Sequence, residues 1–137
     1  MSLRSAIRRR ARGFSLIEVL MALLVFSLGI LGLVALQAKA VTYSIDAEDR
    51  TRAALLVDDL VSTMWAQQSA TVASDTLSSW ATRLGDTTQF GLPGSPTYSI
   101  TTTSGLTTIT VTWAEPTRLN AAGAAASSSY STTVAIP

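Results

Sequence analysis

A chain of 137 residues with neither cysteine nor histidine has room for one domain and little more. It is barred from thiol, disulfide and zinc-thiolate chemistry, and it lacks the commonest metal ligand and general base. Its net charge of +1 is unevenly placed: without Arg4, Arg8, Arg9, Arg10 and Arg12 the balance is 5 − 9 = −4, which argues against a nucleic-acid-binding surface on the remainder.

Those five arginines all precede an apolar run. Residues 14–36 make 23 positions with a single charge, Glu18, enough for a helix to cross a hydrocarbon core of ~30 Å. Basic residues beside a span stay cytoplasmic, and the far side carries only Lys39 before Asp46, Glu48 and Asp49. The expected topology therefore puts the N-terminus in the cytoplasm and the bulk of the chain outside the inner membrane.

Three readings of this segment compete. A secretory signal peptide would use "QAKA", where Ala38 and Ala40 imitate a cleavage site, but its apolar region would run only about 7–15 residues and hold no glutamate. A plain single-pass anchor accounts for the length and the arginines, yet not for Glu18. The third reading is proteolytic processing. Locally, "SLIE" is a capping box in which Ser15 caps a helix and Glu18 reaches back to a free backbone N–H. A carboxylate there also meets the positive end of the helix dipole. Both effects predict a helix beginning at about Phe14.

The stretch "RGFSLIEVLMALLVFSLGILGLVALQ" resembles the N-terminal signature of type IV prepilins and pseudopilins: a short basic leader ending in Gly, then Phe or Met, a spacer and Glu, then an apolar helix. The resemblance implies that residues 1–13 are a leader and that a prepilin peptidase cuts between Gly13 and Phe14 and N-methylates Phe14. Arg8, Arg9, Arg10 and Arg12 would then orient the precursor. It also gives Glu18 a use. A charge at mid-membrane costs roughly 2.5–3.5 kcal/mol, less near an end. In a staggered bundle the Glu18 carboxylate of one subunit can pair with the new Phe14 α-amine of a neighbour. Wrong registers leave both charges unpaired, as a polar residue does in a coiled-coil seam.

No Pro or Gly interrupts residues 33–68, and Ala53, Val57, Leu60 and Met64 recur at helical spacing, flanked by Leu56 and Val61. One helix is predicted over residues 14–67, its first half (14–36) in the membrane and its second half amphipathic. Asp46 with Arg50, and Glu48 with Arg52, have the spacing of i,i+4 pairs on a solvated face. Gly29 and Gly32 fit close helix packing, or a point where the helix loosens on assembly.

Residues 37–137 form the predicted periplasmic domain. "SDTLSSWATRLG" reads as a helix over 75–84, capped by Ser74 or Asp75, with Leu77, Trp80, Ala81 and Leu84 on one face and Gly85 at its end. After the loop "GLPGSP", alternating residues on both sides of Ser104-Gly105 predict a hairpin over about 97–113. "AAGAAASSS" reads as a loop, and a last strand is expected over about 129–136. The fold class is α+β: a long N-terminal helix whose apolar stripe is covered by a small antiparallel sheet. Trp65, Trp80 and Trp113 each fall on a predicted buried face and read as core rather than as a ligand groove.

No enzyme and no cofactor site is read from these residues. Without histidine there is no Ser–His–Asp arrangement, and Asp58 and Asp59 point about 100° apart on a helix. The order Trp80, Leu92-Pro93-Gly94, Tyr98-Ser99-Ile100 and Ile109 to Glu115, after a helix with no proline, is similar to minor pilins of the PilV kind. Major pilins usually carry a proline in that helix. The resemblance implies a subunit that joins other major and minor pilins to prime or cap a type IV pilus, serving adhesion, twitching motility or DNA uptake. A minor pseudopilin of a type II secretion system, or an anchored binding domain that never assembles, would share much of the same sequence.

Overall fold

The computed structural model describes residues 14–136. Its elements are helix α1 (Leu16–Gln67), helix α2 (Ser74–Gly85), a single 3-10 turn (Thr87–Gln89) and strands β1 (Thr97–Thr103), β2 (Leu106–Leu119) and β3 (Ala125–Ala135). The three strands form one antiparallel sheet in the order β1-β2-β3. The fold is α+β, as the sequence predicts. Two compact units divide at Lys39 and Ala40, with α1 passing through the boundary.

In the first unit α1 is apolar on every side, and each residue from Phe14 to Lys39 is exposed. Ser27, mid-run, returns its hydroxyl to the Leu23 carbonyl at 2.7 Å, so the one interior hydroxyl of the run has a partner inside the helix.

In the second unit α1 becomes one-sided. Ala53, Val57, Leu60 and Met64 are at most 1 % exposed, which is the stripe expected from their spacing. The helix stops without a glycine. Gln68 takes the left-handed conformation at φ 48°, its N–H meets the Trp65 carbonyl at 3.1 Å, and the Ser69 N–H meets that of Met64 at 3.1 Å. This pair of bonds is a Schellman closure, which satisfies two of the last free carbonyls.

The cover over that stripe comes from the sheet and from α2. Ile109, Val111 and Trp113 point inward from β2, and all are buried. Their neighbours Thr108 and Thr110 point outward and bond sideways to Thr133 and Ser131 on β3, each at 2.9 Å. Ser104 (φ 53°) and Gly105 (φ 77°) both occupy the left-handed region, the geometry of a tight two-residue hairpin turn whose twist matches the strands. From α2, Trp80 is buried and donates its indole N–H to the Leu56 carbonyl at 2.7 Å, while Arg83 meets Asp59 at 2.7 Å on the surface.

Several local readings need correction. Trp65 is 50 % exposed and no part of the core: it sits about 100° around the helix from Met64, beyond the covered stripe. Asp46 pairs not with Arg50 but with Arg118, 72 residues away, at 3.1 Å. Asp49 is buried, so this face of α1 is not uniformly solvated. Glu48 does bond Arg52. Helix α2 has no side-chain cap, since Ala73 holds that position. Part of "AAGAAASSS" is strand, because β3 begins at Ala125 and pairs with the extension of β2 beyond Trp113. That extension passes Pro116 at a register shift between Glu115 and Leu119, where a missing N–H is tolerated.

The candidate processing and assembly segment

The residues that carry the N-terminal motif fall on both sides of the first described position. Gly13 and Arg8, Arg9, Arg10 and Arg12 lie outside the described residues. Phe14 is 80 % exposed, and the helix proper begins two residues later, at Leu16.

Ser15 stands at the N-cap. Its backbone carbonyl accepts the Glu18 N–H at 3.0 Å and the Val19 N–H at 3.3 Å, which are the first bonds of the helix. The side-chain bonds of a capping box are not among those formed by the described residues, so the hydroxyl of Ser15 and the carboxylate of Glu18 do not close it. Glu18 remains exposed in the first turn, where the helix dipole favours a negative charge.

Phe14, Glu18, Ala22 and Phe26, four residues apart, line one shallow surface concavity with Val19 and Leu23. Spacing of this kind puts side chains on one helix face. The single carboxylate thus lies among apolar groups, on the same face as the residue at which a new α-amine would be generated.

Further along, Gly29 and Gly32 have open surroundings. A Cβ built on either would meet nothing within 4 Å, so no contact within the chain requires glycine at these two positions. Among the described residues α1 is the one helix long and apolar enough to cross a membrane. Among the described residues no three acidic side chains gather within reach of one ion.

Residues 8–34 match the family described as the prokaryotic N-terminal methylation motif. No curated protein and no solved structure matches the chain. The matched motif supports a type IV pilin-like protein, of a pilus or a pseudopilus. Such proteins are structural rather than enzymatic, and the motif implies processing by prepilin peptidase and assembly with other pilins in general. With the apolar helix α1, it points to membrane anchoring.

Proposed function

We propose that this chain is a minor pilin of a type IV pilus, cut between Gly13 and Phe14 and N-methylated on Phe14. Residues 14–36 hold the precursor in the inner membrane, with Arg8, Arg9, Arg10 and Arg12 on the cytoplasmic side and the domain from residue 37 in the periplasm. The mature chain then joins other pilins through its N-terminal helix and helps to prime or cap the filament.

The observation that carries this reading is a helix exposed and apolar along its first half, with one carboxylate in its first turn, and a methylation motif matched over residues 8–34. Glu18 pairs with the Phe14 amine of a neighbouring subunit, which removes two poorly solvated charges at once and fixes the axial stagger of the helices. The minor role is supported by the lack of any proline within α1 and by the similarity of residues 80–115 to minor pilins of the PilV kind.

Mass spectrometry of the N-terminal peptide, run separately on sheared surface filaments and on membranes, tests the proposal. A peptide beginning at Phe14 and one methyl group heavy, found in the sheared fraction, is the expected result. The same peptide confined to membranes would favour a pseudopilin of type II secretion. An intact leader, or a chain starting at Val41, would overturn the assignment.

A further inference from the structure

Away from the N-terminal segment, the second unit buries charge. Glu115 follows Trp113 on the inward face of β2 and is 1 % exposed, as deeply placed as the core tryptophans. Both of its carboxylate oxygens are buried without a hydrogen-bond partner, and so is Oδ1 of Asp46 on α1. The other Asp46 oxygen accepts from Arg118 at 3.1 Å. The groups facing Glu115 are Asp46 from α1, Arg118 from its own strand and the neutral hydroxyl of Ser128 from β3. Asp46 in turn faces Asp49, beside which stand Glu48 and Arg52.

Two ionised carboxylates here would leave three buried acceptor oxygens with only the Ser128 hydroxyl facing them as a donor, a costly arrangement. One proton removes most of the cost. It bonds one acid to the other and so satisfies two of the three oxygens, leaving the third to the Ser128 hydroxyl, and it brings Asp46, Glu115 and Arg118 together to a net charge of zero. A divalent cation is not favoured, because no third acid comes within reach of a shared ion among the described residues.

We propose that Asp46 and Glu115 share a single proton, and that this carboxyl–carboxylate pair latches the far end of β2 to α1 in a pH-dependent way. When the proton leaves, two like charges face each other in a buried site and the latch loosens. The domain is therefore held more firmly in a mildly acidic medium than in a neutral or alkaline one.

The electrostatics run in the same direction. Burial, and after it the Asp46 carboxyl, push Glu115 above the usual carboxylate range; Asp49 is raised as well, chiefly by burial. A raised acid holds its proton in the folded chain at a pH where the unfolded chain has lost it. Its stabilisation is complete below the unfolded value of about 4.3 and is lost as pH rises through the folded value. Asp86 opposes this, since bonds from Thr88 and Gln89 hold its carboxyl low. The test must therefore isolate Glu115.

Glu115→Gln does so, because an amide supplies a donor to Asp46 at every pH. The full chain in detergent micelles would be melted by near-ultraviolet circular dichroism from pH 5 to pH 8, beside the variant. The expected result is a difference in Tm that moves with pH by at least about 4 °C, the wild type gaining on the variant as pH falls. Asp46→Asn should flatten the wild-type gain in the same way, whatever its constant offset from losing the Arg118 pair. A difference that stays constant within 1 °C, on the order of a quarter of the smallest expected shift, would overturn the latch. So would a rise in wild-type Tm at pH 8 on adding calcium that Glu115→Gln abolishes, since the oxygens would then be cation ligands.

Discussion

Replacing Trp80 by alanine should destabilise the second unit far more than the same change at Trp65, although the two residues look alike in the sequence. Trp80 is 1 % exposed, bonds the Leu56 carbonyl at 2.7 Å and meets Tyr98 edge-on at 5.2 Å between ring centroids. Its side chain ties α2 to the backbone of α1 and to β1 together. Truncating a buried tryptophan costs about 3–5 kcal/mol. That figure already contains the net hydrogen bond, about 0.5–1.5 kcal/mol, and the aromatic pair, of similar size. Against a total stability of about 5–15 kcal/mol, the loss is large, and it corresponds to a fall in Tm of at least about 12 °C for a domain of this size. Trp65, half exposed, should change stability by about 0.5 kcal/mol or less. Thermal melts of the full chain in detergent micelles, followed by near-ultraviolet circular dichroism, give both values. Two variants within about 1 kcal/mol of each other, a margin well inside the 3–5 kcal/mol expected for the buried site, would refute the distinction between core and surface drawn from burial.

Glu18→Ala should leave cleavage intact and reduce incorporation into filaments, and wild-type incorporation at native expression would sink the charge-pair account. Gly13→Ala should be processed better than any larger substitution, because a peptidase pocket closing on a hydrogen rejects bulk; this is read from the ratio of precursor to mature chain on a blot. Gly94→Ala should cost about 1–3 kcal/mol, since φ there is +66° and a Cβ would lie 2.6 Å from that of Ala114. A variant melting within a degree of wild type, on the order of a quarter of the smallest expected shift, would show that the loop simply moves aside.

The elements that short-range pattern decides were legible. The stripe Ala53, Val57, Leu60 and Met64 declares itself by spacing, and Ser104-Gly105 declares a turn because few residues take a positive φ cheaply. Long-range pairing was not legible. Local rules assign Asp46 to Arg50, but the chain brings Arg118 to it from a distant strand, and nothing on a helical wheel registers that competitor. Glu115 lies beyond the hairpin predicted over about 97–113 and so had no assigned place. Continuing the alternation of Ile109, Val111 and Trp113 by two residues puts position 115 on the buried face, which is where the structure has it. The strand at Ala125 shows the converse: Ala and Ser give no strand signal, and the extended β2 beside them provides the ladder, Ser128 opposite Trp113 and Ala126 opposite Glu115.

For the N-terminal segment the balance is reversed, since its motif was legible and is matched over residues 8–34, while its packing depends on what surrounds it. Phe14 and fifteen large apolar side chains of α1, from Leu16 to Leu36, stand exposed. At about 1.5–3 kcal/mol each, passing this helix through water would cost on the order of tens of kcal/mol, several times the stability of a whole domain. A subunit of the proposed kind therefore leaves the bilayer only as neighbouring helices replace the lipid. Within the bilayer, apolar contact alone cannot choose those neighbours, because lipid tails are as apolar as leucine. Under the proposed function, selection falls to the features that lipid does not imitate: the close approach that Gly29 and Gly32 leave open, and a single charge at Glu18 that a correctly staggered partner would neutralise. The apolar residues would then hold the subunit in place until assembly, and these three would set where it goes.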